Sequence, residues 1–204
     1  MKQLIERRLK GTRPPVDPVA AALERLPNGV PEAWFRRPLV SAAVLVPLIE
    51  RGSELNLVLT QRTEHLDVHP GQISFPGGRC EPTDTGTLYT ALRETREEIG
   101  LAAESITVVG YLDSMAVVTG FAVAPVVGFV AADAKFTPDP FEVAEVFEVP
   151  LDFFLNDANH QLRERNVRGI TMPFSEYQFE ERRIWGATAM MIRDFTNLMQ
   201  NHKS

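Results

Sequence analysis

The chain is 204 residues long and 44% hydrophobic, with 21 Lys and Arg against 27 Asp and Glu for a net charge of −6. That length suits a domain with its own apolar core and no need of a disulfide or metal staple. The negative balance excludes a general polyanion binder, because nucleic-acid affinity rests mostly on neutralising phosphates. The single cysteine, Cys80, excludes an internal disulfide, and residues 1–8 lack the apolar core of a secretory signal. A soluble, cytoplasmic protein is the expectation.

Residues 1–37 are basic at their start (Lys2, Arg7, Arg8, Lys10, Arg13) and then punctuated by Pro14, Pro15, Pro18, Pro27 and Pro31. They read as short helices joined by proline turns, an extension packing on a main domain at 38–204 or on a second subunit, so a homodimer is one expectation. The basic cluster reads as a solvated helix face, with a contact to an anionic ligand as the alternative. From Pro38 the pattern turns to strands: an apolar run over 39–49, then 55–60 after the Arg51-Gly52-Ser53 turn signal. A loop rich in Gly and Pro covers 69–86. Apolar residues at helical spacing predict a helix over 87–99, stopped by Gly100. Strands follow at 106–112, 123–130 and 143–149, a short helix opens at Pro150-Leu151, 170–179 and 183–185 form a hairpin, and a helix closes the chain over 187–199. The order predicts an α/β fold, an α/β/α sandwich around a mixed β-sheet.

Between Asp113 and Asp133 no residue is charged, long enough to raise a membrane span. Thr119, Gly120, Pro125 and Gly128 interrupt a helix there, and six valines favour strands. Buried strands around a turn at Thr119-Gly120 are expected, and no membrane partner.

The informative segment is Arg93-Glu94-Thr95-Arg96-Glu97-Glu98-Ile99-Gly100. At about 100° per residue, Glu98 lies roughly 40° from Glu94, with Glu97 roughly 60° on the other side. Three carboxylates on one arc near a helix C-terminus repel each other and oppose the macrodipole. Arg93 and Arg96 relieve part of this; a divalent cation would relieve more, since hard cations prefer clustered carboxylate oxygens. Phe75-Pro76-Gly77-Gly78 lies 15 residues ahead of Arg93, a turn whose glycines admit close approach of backbone to a ligand or metal. Asp84, between them, can pair with Arg93.

This assembly resembles the Nudix box of the Nudix hydrolases: Gly, five residues, Glu, seven residues, then Arg-Glu-aliphatic-x-Glu-Glu-x-Gly-aliphatic. Gly78, Arg93, Glu94, Glu97, Glu98, Gly100 and Leu101 match; Thr95 replaces the aliphatic residue, and Asp84 fills the Glu position with eight residues before Arg93. Just upstream, Val58-Leu59-Thr60-Gln61-Arg62, Gly71 and Phe75-Pro76-Gly77-Gly78 are similar to the signature of the coenzyme A diphosphatase branch. Thr63 stands there for Ser or Ala, and Asp67 reverses the charge of a signature arginine. The resemblance spans about residues 38 to 198.

What the resemblance implies is a Nudix fold and metal-dependent hydrolysis of a nucleoside diphosphate-linked substrate. Coenzyme A or a derivative would give 3′,5′-ADP and 4′-phosphopantetheine; the alternatives are ADP-ribose or dinucleotide hydrolysis, or a non-catalytic nucleotide-binding module. Glu94, Glu98 and Glu97 would hold Mg²⁺ or Mn²⁺, with the Gly77 carbonyl as a backbone ligand. Arg93 would orient the glutamates, and Asp84 and Gly100 would support them. Arg62 and Arg79 are candidates for substrate phosphates, Phe75 and Gly78 for lining the groove. The general base stays open among the helix glutamates, Glu142 and Glu145. His65 and His69 read as no metal pair, Cys80 as a passive thiol, and Ser74 as no nucleophile.

Overall fold

The computed structural model describes residues 1–26, 34–66, 68–167 and 170–200. The central strand is β1 (Val40–Arg51), apolar along its length and therefore buried on both faces. It runs parallel to β7 (Phe121–Val130) over ten residue pairs, from Val40↔Phe121 to Ile49↔Val130. On its other edge β1 is shared. Its first half pairs antiparallel with β4 (Gly77–Arg79) at Ala42–Val44, and its end pairs with β2 (Glu54–Arg62) at Leu48–Arg51. Between these two pairings Leu45 N–H donates to the Pro76 carbonyl at 2.9 Å. The edge of β1 therefore forks, and the Pro76–Gly77 turn fills the fork.

The eight-stranded sheet is completed by β3 (Ile73–Ser74) and β8 (Val143–Pro150) on β2, and by β5 (Ile106–Tyr111) and β6 (Met115–Val117) on β7. The uncharged stretch after Asp113 is thus the β6–β7 hairpin, and no helix among the described residues is long and apolar enough to cross a membrane. α3 (Thr87–Ile99) covers one face, burying Ala91 against Ala43, Leu45 and Val126, and Ile99 against Ile49 and Val58. The other face carries α4 (Leu151–Leu155) and α5 (Ala187–Gln200), with Phe154, Ile192 and Phe195 in one core with Leu48, Leu57 and Val127. The mixed sheet between helices is the expected α/β/α sandwich.

The amino-terminal segment forms α1 (Lys2–Leu9), whose Ile5 and Leu9 are buried in the main core, and α2 (Pro18–Glu24), capped by the Asp17 carboxylate. α1 thus packs on its own chain; Pro27 and Pro31 lie outside the described residues. Two differences from the sequence expectation stand out. The 69–86 loop contains β3 and β4. The carboxy-terminal hairpin, β10 (Ile170–Phe179) and β11 (Arg182–Trp185), gains an unexpected third strand, β9 (His160–Val167), making a separate antiparallel sheet.

Candidate active site at the end of helix α3

α3 stops where Gly100 adopts φ 68°, a left-handed conformation suited to glycine, and its N–H donates to the Arg96 carbonyl at 3.0 Å. The last carbonyls are also taken: Thr137 N–H donates to Ile99 O at 2.8 Å and Asp139 N–H to Glu98 O at 2.9 Å. Segment 137–143 is thereby docked on the helix end. Thr95, the residue that departs from the box pattern, is fully buried and donates its hydroxyl to the Ala91 carbonyl at 2.6 Å. The polar atom is satisfied without a distant partner, so threonine fits an aliphatic position.

Arg93 spends all five of its N–H groups inside the site. Nε and one Nη2 hydrogen meet Asp84 Oδ1 and Oδ2, both at 3.1 Å, and the other Nη2 hydrogen meets the Arg79 carbonyl at 3.0 Å. Nη1 donates to Glu94 Oε1 at 3.0 Å and to Glu97 Oε2 at 2.9 Å. Asp84 also accepts from Thr90 Oγ1 at 2.7 Å and from the Glu81 amide at 2.9 Å. The Arg93 contact, aided by these donors, holds the Asp84 carboxyl down to about 2. Asp84 in turn raises the guanidinium pKa, keeping Arg93 charged.

Glu98 is only 4% exposed. Its Oε2 accepts from the Gly77 amide at 3.1 Å, and its Oε1 lies 3.8 Å from Arg62 Nη1. Burial pushes its carboxyl up to about 8; the Gly77 amide and Arg62 oppose the shift, while the charges of Glu94 and Glu142 add to it. Burial also raises Glu94, against the pull of Arg93. The two glycines are required by contact. A Cβ on Gly77 (φ 151°) would fall 2.5 Å from Val44 Cα, and one on Gly78 2.5 Å from Glu94 Cδ.

The structure therefore brings Arg93, Glu94, Glu98, Asp84, Gly77, Gly78 and Arg62 together. Glu97 is set apart: its carboxylate is bound by Arg93 and its side chain is 59% exposed. Arg79 contributes its carbonyl, while its side chain is exposed. The expectation that Phe75 lines the groove is corrected, because its ring is 1% exposed and packed in the main core, where it anchors the turn. Asp67 lies outside the described residues. Of the base candidates, Glu145 is paired with Arg182 at 2.7 Å, whereas Glu142 acts electrostatically on both Glu94 and Glu98. Sequence reasoning missed Thr90 and Asp139. Thr90 stands three residues before Arg93 on the same helix face and was legible in principle; nothing local marks Asp139.

These residues fit a hard divalent cation. Two carboxylates, Glu94 and Glu98, crowd a glycine turn, and burial makes each costly as a bare anion. Among the described residues, no group of three or more His, Cys, Asp or Glu side chains is placed to hold a metal ion. Mg²⁺ needs only one or two protein carboxylates, the other positions being left to water and substrate phosphates, and Glu94 and Glu98 are two.

The NUDIX domain model matches residues 39–168. The chain belongs to the Nudix family. It is a Nudix hydrolase, acting on phosphorus anhydrides of nucleoside diphosphate derivatives, and Nudix hydrolases generally need divalent metal ions. It is 42% identical over 153 residues to the uncharacterized Nudix hydrolase NudL of Pectobacterium atrosepticum, covering 74% of this chain and 78% of that one. The protein of the same name from Enterobacter sp. is 38% identical over 157 residues, covering 75% and 79%. Among solved structures, the Ap4A hydrolase of C. elegans in a binary complex aligns with a TM-score of 0.47 and 20% identity, over 56% of this chain and 82% of that one.

Proposed function

We propose that this Nudix hydrolase cleaves coenzyme A or a derivative at its pyrophosphate, giving 3′,5′-ADP and 4′-phosphopantetheine, with Glu94 and Glu98 as ligands of Mg²⁺ or Mn²⁺. The observation that carries the hydrolytic part is the burial of Glu98 against the Gly77 amide, beside Glu94 and Arg62. The choice of substrate is supported by the upstream signature gathering at one place: Arg62 reaches Glu98, its N–H donates to the Gln72 carbonyl at 2.9 Å, and Phe75 anchors the Gly77-Gly78 turn.

Glu94 and Glu98 would hold a divalent cation, which would supply neutralisation of pyrophosphate charge and a lowered pKa for bound water. Arg62 presents guanidinium N–H groups to a phosphate oxygen; its Nε–H is buried and finds no acceptor among the described residues. Arg93 fixes the Glu94 side chain, and the Gly77 amide orients the Glu98 carboxylate. We take Glu142 as the group that accepts the proton of the attacking water, because Glu145 and Glu97 are each held by an arginine.

A second reading, cleavage of ADP-ribose or a dinucleotide, is favoured by Asp67, an anion where the coenzyme A signature has an arginine. The test offers coenzyme A, ADP-ribose and NADH side by side to purified protein with Mg²⁺ or Mn²⁺. Preferential release of 3′,5′-ADP is expected. Preference for ADP-ribose or NADH supports the second reading, and tight nucleotide binding with no turnover overturns both. Asp67→Arg should raise coenzyme A turnover; an unchanged rate shows that position makes no contact with substrate.

A further inference from the structure

Phe141 is a large aromatic residue left 64% exposed. A lone apolar side chain on a surface means little; what distinguishes this one is how its backbone is held. Asp139 N–H donates to the Glu98 carbonyl at 2.9 Å, and the Asp139 carboxylate accepts from the Phe141 amide at 2.8 Å. From the opposite side, Thr63 Oγ1 donates to the Phe141 carbonyl at 2.8 Å, and Thr63 N–H donates to the Glu142 carbonyl at 3.0 Å. Thr63 follows Arg62, whose guanidinium faces Glu98. Phe141 is thus tied both to the catalytic helix and to the strand that carries Arg62. Its ring meets His65 with centroids 4.8 Å apart and planes at 60°. The result is an exposed aromatic corner whose backbone is held between the end of α3 and the strand of Arg62, and whose ring packs in none of the core clusters among the described residues.

We propose that Phe141, backed by His65, is the stacking platform for the nucleobase of the substrate. A flat π-system is what an exposed ring fixed beside a phosphate-cleaving site recognises best, since every base presents a π-face. The inference rests on the reading of this site as a nucleotide hydrolase and adds a residue that sets specificity without touching the reacting atoms. A fixed platform on the helix end also explains why segment 137–143 is bonded to α3 so thoroughly: a platform that drifted would not hold the pyrophosphate over Glu98.

The test compares binding of AMP, ribose 5-phosphate and 4′-phosphopantetheine to the intact protein by calorimetry, in wild type, Phe141→Ala and Phe141→Trp. The wild type should prefer AMP to ribose 5-phosphate, Phe141→Ala should lose about tenfold for AMP with ribose 5-phosphate little changed, and Phe141→Trp should restore AMP binding. Equal binding of AMP and ribose 5-phosphate by the wild type overturns the proposal. So does Phe141→Ala that binds AMP normally, that loses both ligands alike, or that weakens 4′-phosphopantetheine instead. Turnover of coenzyme A, ADP-ribose and NADH by the wild type is scored separately. Its absence counts against the hydrolase reading, whereas turnover with an unaltered AMP preference in Phe141→Ala sinks the platform alone.

Discussion

Asp84 and Arg93 meet edge to edge, with Nε on Oδ1 and Nη2 on Oδ2 at the same 3.1 Å. This two-point contact ties the turn side of the site to the helix side, because Arg93 passes its remaining hydrogens to Glu94, Glu97 and the Arg79 carbonyl. Asp84→Asn keeps the shape but removes the charge and one acceptor. We expect a stability loss of about 3 kcal/mol, the lower end for breaking a buried pair, since two glutamates still hold Arg93. The folded Asp84 titrates near 2, below its ordinary 3.8. Its contribution is therefore complete above pH 3.8 and fades as pH falls toward 2. Urea titrations of both proteins should show a gap that is constant at neutral pH and narrows in acid; a gap independent of pH refutes the pairing.

For Glu98 the sign is reversed. Its folded carboxyl titrates near 8 against an ordinary 4.5, so the folded state binds the extra proton across that interval. Protein treated with EDTA should lose stability as pH rises from about 4.5 to 8, and Glu98→Gln should flatten that slope while remaining folded. The same variant should have no detectable hydrolase activity. Activity within a few-fold of wild type would remove Glu98 from the ligand set.

Gly78→Ala tests the glycine turn without changing any charge. The added methyl would fall 2.5 Å from Glu94 Cδ, so the carboxylate must move. A displacement of this order costs about a hundredfold in turnover, with a melting temperature close to wild type. Full activity would mean that Glu94 has room the structure does not show.

Ile5 tests whether α1 belongs to the fold. Its side chain is fully buried in the core shared with Phe129, α4 and α5. Truncation to Ala leaves a cavity and should cost about 2–5 kcal/mol, seen as a melting temperature lower by several degrees. No change would show that α1 packs only loosely.

Much of this was legible in the sequence, for identifiable reasons. α3 is framed by apolar spacing and by Gly100, and its carboxylates declare themselves through mutual repulsion. The pairing of Asp84 with Arg93 was readable despite the extra residue, because opposite charges on the turn and on the helix it leads into attract. β9 was not legible: His160-Gln161-Leu162-Arg163-Glu164-Arg165-Asn166-Val167 has no apolar alternation, and Leu162 faces solvent. It is a strand because β10 supplies a ladder, a tertiary cause. The separation of Glu97 from Glu94 and Glu98 was equally invisible, since angular position places all three on one arc and Arg93 binds Glu94 and Glu97 alike; what divides them is exposure, 59% for the Glu97 side chain against 18% for Glu94 and 6% for Glu98.

The fork in β1 has a consequence for how such a site can be lost. The carboxylate cluster proposed as the active site lies where two neighbouring strands fail to zip together and a turn of Pro76 and Gly77 plugs the seam. Changes that lengthened the β1–β2 ladder toward Leu45 would make a more regular sheet and would squeeze out the plug, so improving the architecture there would silence the enzyme.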